Sequence, residues 1–270
     1  RLIAFASALV GFVKGGLAMI NIAVSMFFAE ISGSAVADVA ALGSILIPAM
    51  KKKGYPGPFS AAVTSSSASL AIIIPPSIPM ILYAVMAQSS VVQLFVAGII
   101  PGILGGFLMM FAAYVYARKK DLPVEEAFDF KNLKKTAKEA SLAFTLPLII
   151  LGGIFGGIVT ATEGAGLAVL AALLIGFIHR ELDFKSFYKA ASEGATQTAV
   201  VMLLVGASVL LGEFLTVEQI PQKVAKSIIG ITNNKYFVLM ILNVFLLIIG
   251  LFLHSAAAII LTVPIVMPLV

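Results

Sequence analysis

Apolar runs cut short by polar clusters dominate the chain. Leu2 to Val13 is apolar and ends at Lys14-Gly15-Gly16. The next run, Leu17 to Phe28, is about half a bilayer long, because a spanning helix needs roughly 20 residues. It meets Glu30 and Ser32-Gly33-Ser34, and a third run, Val36 to Met50, leads out to Lys51-Lys52-Lys53-Gly54-Tyr55-Pro56. Two short helices that meet at a polar tip, with lysines at both outer ends, predict a re-entrant hairpin over residues 15–53. A partial transmembrane helix over 1–14 precedes it.

Residues 54–88 are long enough to span but are interrupted at Ile74-Pro75-Pro76-Ser77-Ile78-Pro79. Proline has no amide hydrogen and removes the bond to the carbonyl four residues back. Pro75, Pro76 and Pro79 therefore free the carbonyls of Ala71, Ile72 and Pro75, predicting a discontinuous helix with bare oxygens near its middle. A further span is expected over 89–120, closing at Arg118-Lys119-Lys120. An amphipathic interfacial linker follows over 121–140 (Val124, Ala127, Phe128, Leu133, Ala137), then a helix pair over 141–180 ending at His179-Arg180-Glu181. Residues 181–235 read as amphipathic pieces, at Lys185–Ser192 and Thr216–Ile229, flanking a span from Thr198 to Leu215. Residues 236–270 read as a second hairpin broken at His254-Ser255.

Composition narrows the class. The 270 residues are 60% hydrophobic and 11% charged, with mean hydropathy +1.09. Soluble domains carry about 25% charged residues, so the chain is an all-α polytopic membrane protein embedded in a lipid bilayer. With no cysteine and only His179 and His254, thiolate, iron–sulfur and multi-histidine metal chemistry are set aside. The net charge of +5 does not indicate nucleic acid. Lys14, Lys51–Lys53, Arg118–Lys120, the Lys131–Lys138 cluster, Arg180, Lys185 and Lys189 fall on one side, the cytoplasmic one by the positive-inside rule. The Gln88 and Thr160–Glu163 loops, Lys223, Lys226 and Lys235 fall opposite. The first hairpin then opens to the cytoplasm and the second outward. Opposed topology in matching elements is the mark of an inverted repeat, as in many secondary transporters. The chain starts and stops inside apolar runs and reads as a fragment of a longer permease.

Unwound backbone at membrane depth must be enclosed by protein or line a wet cavity. Ser32, Gly33 and Ser34 at the first break, with the carbonyls of Ala71, Ile74 and Pro76, offer hard oxygen ligands for a cation. The competing reading is close helix packing by small residues. Asp38 and Glu30 flank the break, where a carboxylate is costly and usually functional. Asp38 either couples to cation binding or caps the following helix. Ser65, Ser66, Ser67 and Ser77 are candidates for substrate contact or for packing. Thr160, Thr162 and Glu163 either touch substrate or start a helix, and His254 beside Ser255 reads as a hydrogen-bonded structural residue.

These residues resemble the large membrane subunit of TRAP (tripartite ATP-independent periplasmic) transporters, the DctM type. The family pattern runs GGLA-x-x-N, ISGSA-x-AD, IP-x-M-x-x-x-GY, IIPPSIP-x-x-x-Y and LF-x-AG-x-x-PG. It is met by Gly15–Ala18 with Asn21, Ile31–Asp38, Ile47-Pro48 with Met50, Gly54-Tyr55, Ile73–Pro79 with Tyr83, and Leu94 through Gly102. The second half matches more loosely, with Ala161 where the family has proline. The resemblance implies an elevator-type, inverted-repeat transporter in a bacterial or archaeal inner membrane. It implies sodium-coupled import of a small organic acid (a C4-dicarboxylate, sialic acid or a similar carboxylate). A periplasmic binding protein would deliver the substrate, and a small four-helix TRAP membrane subunit, separate or fused, would complete the complex. It implies a Na+ site at Ser32, Ser34, Ala71, Ile74 and Pro76, with Ala71 replacing a family glycine. A second would form near Ser255 and Ala256 with a family segment beyond Val270. Two rivals remain: an intramembrane serine hydrolase using Ser34 and His254, and a passive channel.

Overall fold

The computed structural model describes residues 2–125, 127–178, 182–219, 223 and 234–267. The expected helix end at His179–Glu181, most of the Thr216–Ile229 stretch, Lys226 and residues 268–270 lie outside them. Among the described residues the regular structure is entirely helical. The helices are α1 (Leu2–Val10), α2 (Gly16–Ser32), α3 (Ala35–Lys52), α4 (Gly57–Ala68), α5 (Ile78–Met86) and α6 (Val91–Lys119). They continue with α7 (Phe130–Phe155), α8 (Ala161–Ile178), α9 (Phe184–Val217), α10 (Lys235–Phe252) and α11 (Ser255–Val266). By length and composition α6, α8 and α9 can each cross a membrane, and α7 makes a fourth if its two bent halves count as one span.

The chain divides into two compact units, one of residues 1–80 with 91–175, the other of 81–90 with 176–270. In the first, α2 and α3 fold back on each other around Gly33. Leu42 and Leu46 pack into a buried cluster with Ile20, Ala23 and Val24, and Met50 shares another with Ala18 and Met19. Pairs at equal distance from Gly33 meet, which is the register of a helical hairpin. Burial on this scale contributes about 1.5–3 kcal/mol per large aliphatic side chain against water, and less against lipid tails, which are themselves apolar.

The open end of this hairpin is tied to the end of α6. Pro123 O accepts from Gly15 N (3.1 Å), Gly16 N (3.3 Å) and the Tyr55 hydroxyl (3.4 Å). Glu125 N donates to Gly11 O (3.1 Å). Lys14 pairs with Asp121 at 2.6 Å and Lys53 with Glu125 at 3.1 Å. The Lys14 hydrogen bond and charge hold the exposed Asp121 carboxyl below its ordinary range. Phe59 stacks on Tyr116 at 4.0 Å.

Three expected segments take another form. The linker is not helical from residue 121. Pro123 and its hydrogen bonds keep 122–125 irregular, and the helix starts only at Phe130, where Asp129 Oδ1 accepts from Lys131 N at 2.9 Å. That amphipathic helix also does not stop at 140. It continues as α7 to Phe155, with a 63° bend between Phe130–Ser141 and Ala143–Phe155. The two pieces expected at 185–192 and 198–215 form one helix, the 34-residue α9, because no proline interrupts them.

In the second unit, α10 and α11 meet at Leu253-His254. A cleft of about 320 Å³ lies between them and Tyr83, lined mainly by Leu242, Leu246, Ile259 and Val263, with Asn243 and Thr262 as its polar groups. The Ser208 hydroxyl of α9 donates to Ile260 O at 2.9 Å, fastening α9 to α11.

Candidate functional site

The first break is built by one glycine and two serines. Gly33 takes a left-handed conformation (φ 57°) and its N–H closes α2 on Ala29 O at 3.0 Å. L side chains adopt that region at a cost of roughly 1–2 kcal/mol. A methyl group on Gly33 would also sit 3.1 Å from Pro76 O and 3.4 Å from Ile78 N. The hairpin tip therefore rests on the backbone of the second break, and Ser32–Asp38 adjoins Ala71–Pro79.

Ser34 caps α3, its hydroxyl accepting from Ala37 N at 3.5 Å. The capping role considered for Asp38 thus falls to Ser34. The Asp38 side chain is 0% exposed. Its Oδ1 accepts a hydrogen bond from the Ser32 hydroxyl, and its Oδ2 is buried with no hydrogen-bond partner. A buried carboxylate oxygen without a donor is costly. The Ser32 hydroxyl that meets its other oxygen sits directly before the left-handed Gly33 of the tip. Glu30 is half-buried at the end of α2.

The second break has its own accounting. α4 ends at Ala68, a short 3-10 turn covers Ser69–Ile72, and 73–77 are irregular before α5. Of the carbonyls freed by the prolines, Ile72 O accepts from the buried Ser77 hydroxyl at 2.6 Å. Ser77 Oγ also accepts from Met80 N at 3.4 Å, starting α5. Ser77 is thus engaged by the backbone on both sides of the break. Ala71 and Ile74 are buried, and Pro76 is half-buried against Gly33.

A polar seam, not anticipated from the sequence, joins the hairpin to the broken helix below the tip. Asn21 Nδ2 donates to Thr64 Oγ1 at 2.6 Å, and the Ser25 and Ser67 hydroxyls meet at 2.8 Å. All four residues are buried, while Ser65 and Ser66 face outward. Interhelical hydrogen bonds of this kind contribute about 0.6 kcal/mol on average in membrane proteins, up to about 1.7. The legible signal was the recurrence of polar residues at 21, 25 and 32, one face of an apolar α2.

The remaining candidates are held locally. Thr160 and Glu163 form a capping box at the start of α8. Thr160 N and Oγ1 donate to Glu163 Oε2 at 2.8 and 2.9 Å, and Glu163 N donates to Thr160 Oγ1 at 3.3 Å. Thr162 is exposed beside them. His254 caps α11, its Nδ1 accepting from Ala256 N at 3.4 Å. Ser255 is half-buried and Ala256 buried in the first turn of that helix.

Helices fit for a bilayer, a hairpin and a proline-broken helix with their unwound backbones in contact define a multi-pass membrane protein of the transporter class. The chain belongs to the tripartite ATP-independent periplasmic transporter DctM component family, whose model matches residues 1–270. It is 42% identical over 272 residues to an isethionate TRAP transporter permease protein, DctMQ, of Oleidesulfovibrio alaskensis, covering 100% of this chain and 43% of that one. It is 38% identical over 270 residues to the C4-dicarboxylate TRAP transporter large permease protein DctM of Pseudomonas aeruginosa (100% and 63%). To the sialic acid TRAP transporter large permease protein SiaM of Vibrio cholerae it is 35% identical over 269 residues (99% and 63%). The chain thus spans 43–63% of the length of these relatives. The relatives are permeases, a non-enzymatic class, and the hydrolase reading falls with them.

Proposed function

We propose that this chain forms the ion- and substrate-handling part of a TRAP large permease in a bacterial or archaeal inner membrane. It would import a small organic acid in symport with sodium. The support is the pairing of two breaks: a tip carrying Ser32, Ser34 and a buried, half-satisfied Asp38 lies against the interrupted backbone at Pro76. Ser32 and Ser34 hydroxyls with the Ala71, Ile74 and Pro76 carbonyls would hold Na+, with Asp38 balancing its charge. The ion supplies the downhill gradient. Ser255 and Ala256 would contribute to a second ion site. The α2–α3 and α10–α11 hairpins would be re-entrant, opening to opposite sides, and would travel together in an elevator motion. A passive channel has less support, because a tip packed on a broken helix suits alternating access.

Relatives are named for isethionate, C4-dicarboxylates, sialic acid and ectoine. The shared chemistry is a small anionic or zwitterionic organic acid, and a substrate of that class is the one proposed for this chain. A periplasmic binding protein would deliver it, and a small membrane subunit, separate or fused as the DctMQ name indicates, would complete the permease. The test is uptake into proteoliposomes containing the full permease, its small subunit and the binding protein. Uptake is expected to require inward-directed sodium and to be lost in Ser32→Ala/Ser34→Ala. Uptake that persists when potassium replaces sodium would overturn the coupling.

A further inference from the structure

The amphipathic half of α7, Phe130–Ser141, has two faces. Lys131, Lys134, Lys135 and Lys138 recur at i, i+3, i+4 and i+7, an arc of about 100° at 3.6 residues per turn. All four are exposed. Among the described residues none of them has a carboxylate within ion-pairing distance; the ion pairs are Lys14–Asp121, Lys53–Glu125 and Lys189–Glu193. Glu139 borders the stripe, and Asp129 is occupied as the helix cap. The other face carries Thr136 and Ala140, both buried, and half-buried Leu133 and Ala137. That face is held in place, because the next turns continue into Phe144, whose ring meets Phe5 of α1 at 5.8 Å and Phe27 of α2 at 5.2 Å.

The stripe also stands at a boundary. Immediately after Ser141 the helix turns by 63° into the apolar Ala143–Phe155 half. A segment running into the bilayer would leave the basic half inclined to it, along the surface. Four exposed ammonium groups there, none ion-paired among the described residues, complement a layer of phosphates. A polybasic stretch just outside a membrane span gains about 1 kcal/mol per lysine from an anionic leaflet. Lysine stems are also long enough to carry their charge to the headgroup level.

We infer that this lysine face is a docking surface for anionic phospholipid headgroups of the cytoplasmic leaflet, holding the basic half of α7 on the membrane surface. The inference rests on the basic half lying at the cytoplasmic surface, and is independent of which ion or substrate is carried.

The full-length permease in lipid nanodiscs, doped with a fluorescence-quenching phosphatidylglycerol or phosphatidylcholine, reports the preference directly. The reporter is a single fluorophore placed near residue 138. Phosphatidylglycerol is expected to be favoured about tenfold in dilute buffer, with the preference falling towards unity in 0.5 M salt. Lys131→Gln/Lys134→Gln/Lys135→Gln/Lys138→Gln is expected to abolish it, and the four Lys→Arg replacements to keep it. An undiminished preference in the glutamine variant would overturn the proposal, including the case in which an acidic protein occupies the face instead. So would equal loss in the arginine variant, which retains the charge. Failure of sodium-driven uptake would leave this readout untouched.

Discussion

The two hairpins solve the same problem with different chemistry. Each ends one helix and begins another within two residues. At the first, a left-handed glycine turns the chain, a serine caps the second helix, and a second serine engages a buried aspartate. At the second, Leu253 is extended (φ −106°) and His254 supplies the cap from its ring nitrogen. No carboxylate follows within its first turn. Both breaks are sound as helix ends, and the first also places an acidic group and a backbone oxygen from another element, Pro76 O, at the turn. Ending a helix does not require a charge, as the second turn shows, so the buried carboxylate at the first is not explained by the turn alone.

The sharpest way to break this contrast is Asp38→Asn against His254→Ala. Sodium-driven uptake is expected to fall at least about 100-fold in the first, since an intramembrane carboxylate is functional by default. The second is expected to lose only its cap, about 0.5–2 kcal/mol of stability, with uptake within about threefold. Equal losses would erase the distinction. A smaller effect is expected at the turns themselves. Gly33→Ala combines a disfavoured φ, about 1–2 kcal/mol, with displacement of Pro76. Leu253→Ala, already extended, changes stability by about 0.5 kcal/mol or less. Thermal unfolding of the two variants in the same detergent measures the gap. The smallest effect concerns what holds the first tip in place. A double-mutant cycle of Asn21→Ala with Thr64→Ala should give a coupling of about 0.6–1.7 kcal/mol, and a value of zero would remove the seam from the account.

Much of this was legible in the chain, for local reasons. Pro75, Pro76 and Pro79 forbid a continuous helix wherever the rest of the protein lies. The glycine and serines at 32–34 are a turn and a cap by residue type alone. The capping box at Thr160 and Glu163 was visible as a spacing. What escaped depends on partners distant in sequence. Ile72 O looked bare until Ser77 folded back on it. Residues 121–125 looked like part of an amphipathic helix because their hydrogen bonds go to Gly11, Gly15, Gly16 and Tyr55, more than sixty positions away. The length of α9 was missed because polar residues such as Glu193 and Gln197 signal a surface and not a stop. The polar seam needed two helices side by side before single hydroxyls became pairs.

α6 carries Gly98, Gly102 and Gly106 one turn apart, and a side chain at these positions would strike Met80 and Ile73 O, Ile74, and Met26 respectively. The helix is thereby seated in a slot shared by the hairpin and both sides of the broken helix. Three glycines thus let one long helix lie flush against the hairpin and the broken helix, and a bulkier residue at any of them would push these elements apart.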